Sequence, residues 1–158
     1  MDRTRQSPRP GHHALRKGRH SLPGHIYHVT TSTWARMPRF LDHQVAWTAC
    51  RCFEGATVLG DARMLAWVLM PDHVHWLLQL GQRRSLSEVV HMLKAFSARD
   101  IHREEGGCGP VWSRAYHDRA LRRDEDILAV ARYIIANPLR AGLVQRVGDY
   151  PYWNATWL

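Results

Sequence analysis

Residues Arg63 to Leu80 read RMLAWVLM, then Pro71-Asp72, then HVHWLLQL. Two apolar runs of strand length meet at a pair of turn formers. Proline presets φ at the second position of a tight turn, and an aspartate beside it can bond its own backbone, so the stretch predicts an antiparallel hairpin at the centre of a sheet. Upstream, HIYHVTTST over His25–Thr33 is β-branched and aromatic and predicts a first strand; Asp42–Phe53 then reads as a helix. Downstream, Ser85-Leu86-Ser87-Glu88 is a capping box, and Leu86, Val89, Val90, Leu93 and Phe96 follow at helical spacing, predicting a helix to His102. Glu105–Pro110 is a loop and Ala115–Leu121 a short strand. A further helix is expected from Asp124, where Asp124, Glu125 and Asp126 suit the positive N-terminal end of a helix. The order β, α, β, β, α, β, α predicts an α+β fold, an antiparallel sheet with helices packed on it, of ferredoxin-like type.

A chain of 158 residues with 45% hydrophobic content can bury one core, not two. Residues 1–21, which begin MDRTRQSPRPGHHALRKGRH, lack hydrophobic periodicity and predict a flexible basic arm before a single domain over 22–158. Lys and Arg outnumber Asp and Glu by 22 to 14, a net charge of +8 with 11 histidines besides. An anionic partner is expected, and nucleic acid is the commonest, although a basic excess alone specifies none. No apolar run reaches the roughly 18 residues of a membrane span, and no secretory leader opens the sequence, so the expectation is a cytoplasmic protein without a membrane partner. Cys50, Cys52 and Cys108 are odd in number and lack paired zinc spacing; they read as free structural thiols.

Within the second strand of the hairpin, His73 and His75 share a face while Val74 points to the other. The pair can be half of a metal site, or two rings that bond neighbours or face solvent. On the helix expected from Asp124, steps of roughly 100° counted from Ile127 place Ile127, Val130, Ala131, Ile134 and Ile135 on one apolar stripe. Tyr133 falls off that stripe, and Asn137 lies one turn further along the same flank. Pro138 disfavours helical geometry at Asn137 and is expected to end the helix there. Taken alone, Tyr133 can be a half-buried packing residue and Asn137 a turn former. Together the flank and the histidines supply two nitrogens, an amide oxygen and a hydroxyl, a set that suits Mg2+ or Mn2+ with open positions for phosphate oxygens better than closed zinc. The metal would polarise a phosphate and the tyrosine would attack it covalently.

Met70-Pro71-Asp72-His73-Val74-His75-Trp76-Leu77-Leu78, together with Tyr133-Ile134-Ile135-Ala136-Asn137-Pro138-Leu139-Arg140-Ala141-Gly142-Leu143-Val144, resembles the REP-associated tyrosine transposases, single-tyrosine relatives of the HUH endonucleases. The likeness runs from about Pro23 to Leu158 and includes Ala120-Leu121-Arg122-Arg123 and Asp149-Tyr150-Pro151-Tyr152-Trp153. The resemblance implies metal ligation by His73, His75 and Asn137 and cleavage of single-stranded DNA in REP-like hairpins by Tyr133. It also implies a 5′-phosphotyrosine intermediate, a free 3′-OH and later rejoining, in a protein acting as monomer or homodimer. A non-catalytic hairpin-binding regulator and a phosphoesterase using water as nucleophile are the competing readings.

Candidate phosphate contacts are Arg36, Arg39, Lys94, Arg99, Arg114, Arg119, Arg122, Arg123 and Arg140, each of which can equally be a solvated charge. Trp34, Trp112, Tyr116 and Trp153 are candidates to stack on unpaired bases, and His117 to move a proton or touch the backbone. Trp67 and Trp76 are expected in the core.

Overall fold

A computed structural model describes residues 21–157; the arm expected over 1–21 lies outside the described residues, apart from Ser21, whose Oγ accepts the Leu86 N–H at 3.0 Å. The hairpin forms in the sheet centre: β2 (Arg63–Met70) and β3 (His73–Gln79) pair antiparallel with Met70 opposite His73. Its tip is clamped. The Pro71 carbonyl accepts from Phe40 N (3.0 Å), and the Asp72 carbonyl accepts from Thr33 N (2.8 Å) and Thr33 Oγ1 (3.1 Å). The other edge of β3 pairs with β1 (Ile26–Ser32), which pairs in turn with β4 (His117–Ala120). Strand order is β4-β1-β3-β2-β5, antiparallel throughout, the order of a ferredoxin-like sheet extended by one strand. That extra strand, β5 (Trp153–Ala155), was not expected: at three residues it shows no alternation to read, and pairing with β2 alone defines it.

One face of the sheet carries helices α1 (His43–Cys50), α2 (Ala56–Leu59) and α3 (Leu86–Glu105). The capping box opens α3 as the sequence predicts, with the Glu88 N–H donating to Ser85 Oγ and the Ser85 N–H to the Glu88 carboxylate. Trp67 and Trp76 are core residues on this face, and Phe53 meets both edge-on at 5.3 and 5.4 Å. Trp112, expected as a base-stacking residue, is instead buried beside Trp76, where its Nε1 donates to Ser97 Oγ (2.9 Å) and Ser97 donates on to the Leu93 carbonyl (2.7 Å). A buried indole N–H that loses its acceptor is destabilising. Ser97→Ala strands it, and the expected cost is about 1–3 kcal/mol in urea unfolding; an unchanged midpoint would mean that the indole finds another partner.

The opposite face is covered in part by α4 (Ile127–Ile135), which packs on β2 and β5 through Ala131, Ile134 and Ile135. The helix begins three residues later than expected. Asp126 is its cap, accepting from Leu128 N (3.0 Å) and Ala129 N (3.2 Å), while Glu125 is committed to the Arg122 N–H (2.6 Å) and the Arg119 guanidinium. It also ends earlier, at Ile135, because Pro138 starts a separate turn, α5 (Asn137–Arg140), where the missing N–H is harmless. Among the described residues no helix is long and apolar enough to cross a membrane.

Candidate active site

The part of this face that α4 leaves open holds the paired histidines. In the β1–β3 register Thr30 lies opposite His75 and Ser32 opposite His73, so alternation puts His28, Thr30, Ser32, His73 and His75 on one face. The His73 and His75 rings sit edge to face with centroids 5.0 Å apart. His73 Nδ1 donates to Asp72 Oδ1 at 2.6 Å, and His75 Nδ1 lies 3.0 Å from both Thr30 Oγ1 and His28 Nε2. With each Nδ1 engaged, each ring presents Nε2 for a ligand, the arrangement in which outer partners fix the tautomer of metal-binding histidines. Burial by itself would raise the Asp72 carboxyl, but the hydrogen bond and charge of His73 and the Arg36 guanidinium hold it below the ordinary carboxylate range.

Burial, then the positive charges of His73, His28 and Arg140, push His75 down from 6.5 to about 3, so its ring is neutral with a lone pair available. The unfolded chain binds a proton on this ring below 6.5, whereas the folded chain refuses it until about 3. This contribution to stability is therefore full above 6.5 and is lost as pH falls from there toward about 3. His28 moves in the same direction, through burial and then the charge of Arg119. Between about pH 7 and about pH 4.5 the wild type is expected to lose more stability than His75→Gln; equal losses in urea would remove His75 as a source.

Tyr133 stands on the exposed flank of α4 with 62% of its surface accessible. The Arg140 guanidinium lies over its ring, 3.8 Å from the centroid, and Arg140 is also one of the charges that lower His75. Asn137, half-buried on α5 against β2, donates its Nδ2 to the Ile134 carbonyl at 2.7 Å, and this turns the carboxamide so that Oδ1 is the atom left to accept or ligate. No cluster of three His, Cys, Asp or Glu side chains suited to a metal occurs among the described residues. A cation here would draw on two imidazole nitrogens and an amide oxygen, a donor set that fits an octahedral ion with open positions and not a closed tetrahedral zinc site.

A cavity of about 560 Å3 adjoins His73, walled by Thr30, Trp34, Arg36, Tyr116 and His117. Ala35 and Arg36 both take left-handed backbone (φ 52° and 55°), which costs a residue with a Cβ roughly 1–2 kcal/mol and turns the chain sharply at the rim. Trp34, Arg36, Arg114, Tyr116 and His117 are thus gathered at the cavity beside His73, and Arg140 stacks on Tyr133; the remaining expected DNA contacts do not line this cavity. Lys94 is engaged within the fold. Its ammonium donates to the carbonyls of Ser113 (2.9 Å), Ala115 (3.2 Å) and Arg114 (3.5 Å), which uses its three N–H groups to hold the loop that carries Tyr116. Arg99 bonds Asp100 on α3 and lies over Phe96, Arg39 pairs with Glu105, and Arg119 pairs with Glu125. Arg122 and Arg123 line a separate shallow pocket with Gly24, His25 and Ile26. Trp153 Nε1 donates to the Val147 carbonyl, leaving the indole half-buried.

A family model described as "Transposase IS200 like" matches residues 21–137, which include the paired histidines, Tyr133 and Asn137. The chain belongs to the IS200-like transposase family. A "REP-associated tyrosine transposase" from Escherichia coli (strain K12) is 29% identical over 89 residues, 55% of this chain and 50% of that protein. The chain thus spans about half the length of the curated relative it matches. A solved structure of a REP-associated tyrosine transposase bound to a REP hairpin superposes with a TM-score of 0.66 at 23% identity, over 85% of this chain and 79% of that one, which confirms the α+β fold. Sequence reasoning did not reach Asp72, Thr30 and His28 as partners of the paired histidines. Period-two alternation puts His28 and Thr30 on one face of β1, but which face meets His75 depends on pairing register.

Proposed function

We propose that this transposase cleaves and rejoins single-stranded DNA at REP-like hairpins, with Tyr133 as nucleophile and Mg2+ or Mn2+ held by His73, His75 and Asn137. The observation that carries this reading is the engagement of both histidines at Nδ1, which leaves two Nε2 atoms free on one strand face. A bound cation supplies Lewis-acid polarisation of a phosphate oxygen.

The remaining chemistry falls to the chain. The Tyr133 oxygen forms a bond to phosphorus, the bond from phosphorus to the 3′-oxygen breaks, the phenol proton is released, and the 3′-oxygen leaves as a hydroxyl after taking up a proton. The downstream DNA stays linked to the tyrosine by its 5′-phosphate, so the reverse reaction with a 3′-OH rejoins strands without an external energy source. Arg140, stacked on Tyr133, restricts the ring and carries a positive charge to the place where phosphate must come. Trp34 and Tyr116 offer aromatic faces to unpaired bases along the cavity, and Arg36 a cation to the backbone. The likeness to a relative solved with a REP hairpin supports hairpin DNA as the substrate.

The test is incubation of the full chain with single-stranded hairpin DNA and Mg2+ or Mn2+. The expected product is a protein–DNA adduct that survives denaturation and disappears when a chelator is present from the start. Hairpin binding unaffected by chelator, with no cut strand, would instead assign a non-catalytic hairpin-binding regulator. Cleavage without an adduct would assign a phosphoesterase that uses water.

A further inference from the structure

A third histidine enters the site from β1, outside the His73–His75 motif. His28 Nε2 lies 3.0 Å from His75 Nδ1, with ring centroids 5.2 Å apart, and Thr30 Oγ1 approaches the same nitrogen at 3.0 Å. A neutral imidazole carries one proton, so His75 can offer a lone pair at Nε2 only while that proton sits on Nδ1. Nδ1 then needs an acceptor. For His73 the acceptor is the Asp72 carboxylate, which cannot donate and so leaves one choice of tautomer. Among the described residues, the partners of His75 Nδ1 are His28 and Thr30, neither of them a carboxylate. A threonine hydroxyl rotates and serves as donor or acceptor with equal ease, so Thr30 does not decide the matter.

His28 can decide it. When its own proton is on Nδ1, its Nε2 only accepts, and the proton shared with His75 must lie on the His75 side. In the opposite tautomer His28 would donate to His75 Nδ1 and push the His75 proton to Nε2, closing that nitrogen to any cation. The tautomers of the two rings are coupled through one short contact.

The geometry points to His28 as a positioning residue that accepts from His75 Nδ1 and thereby directs the His75 Nε2 lone pair toward the divalent cation. The inference rests on the metal-site reading above. It goes beyond that reading because it gives a role to a residue on a different strand, 47 positions away in sequence.

The experiment has two readouts on the full chain. Two-bond 15N–1H correlation spectra of the metal-free protein report which ring nitrogen of each histidine is protonated, and Mn2+ titration followed by electron paramagnetic resonance reports affinity. In the wild type, His75 is expected with its proton on Nδ1, and His28 with an unprotonated Nε2. His28→Ala is expected to give His75 a mixture of tautomers and to weaken Mn2+ binding by about 10–100-fold, the range for removing an orienting partner. His28→Gln, whose carboxamide oxygen can accept from the same Nδ1, is expected to restore both the tautomer and most of the affinity. Its retained fold separates this role from packing. Wild-type affinity in His28→Ala overturns the inference alone, as does a weakened affinity with the His75 tautomer unchanged. A wild type that binds no Mn2+ overturns the metal-site reading, and the inference with it.

Discussion

Tyr133→Phe is expected to abolish covalent attachment to DNA, with no adduct above background on a denaturing gel under conditions where the wild type forms one. The substitution removes one oxygen and nothing else. Because 62% of the tyrosine is exposed and Arg140 stacks on its ring and not on its hydroxyl, the fold and that stacking should survive. Thermal unfolding within about 0.5 kcal/mol of the wild type is the matching control. Hairpin binding should also persist, since the ring that remains can still contact the DNA. Persistence of the adduct would place the nucleophile elsewhere. Strand cleavage that continues without an adduct would show that water attacks, and Tyr133 would then be a substrate contact.

His75→Ala should have a comparable effect by a different route. The ring is held at Nδ1 by Thr30 and His28 and presents Nε2, so truncation removes a proposed ligand and leaves those two side chains facing a gap. Losing an orienting partner of a metal ligand costs about 10–100-fold in affinity or activity, and losing the ligand itself is expected to cost about 100-fold or more. Mn2+ affinity and adduct formation should fall together, while hairpin binding changes little because the basic and aromatic groups around the neighbouring cavity remain. Adduct formation retained at wild-type level in His75→Ala would exclude His75 from the metal site. Loss of hairpin binding in parallel with activity would instead point to a collapsed site, to be seen in the unfolding midpoint.

The central hairpin was legible because everything that specifies it is local. Two apolar runs, a proline and an aspartate lie within one short stretch, and period-two alternation put His73 and His75 together without knowledge of any other strand. The α3 capping box and the apolar stripe of α4 were legible for the same reason. The start of α4 was not. Asp124, Glu125 and Asp126 all suit a helix N-terminus electrostatically, and Asp126 became the cap because Glu125 is drawn to Arg119 on β4, a partner that sequence does not identify. Lys94 shows the same limit. An exposed lysine facing phosphate and a lysine saturated by three carbonyls look alike until the loop at Ser113–Ala115 is folded against α3.

Sequence alone determined which chemical groups were available: two imidazoles on one strand face, a phenol and an amide on one helical flank, and a basic surface. It could do so because side-chain direction within a strand or helix follows from spacing along the chain. Tertiary structure decided how those groups are held. The clamped Pro71–Asp72 tip brings a carboxylate to His73, the β1–β3 register brings Thr30 and His28 to His75, and the break before α5 releases Asn137 from α4. Each of those contacts joins elements whose relative placement depends on packing and register, and a shift of one residue in β1 would turn His28 away from the site.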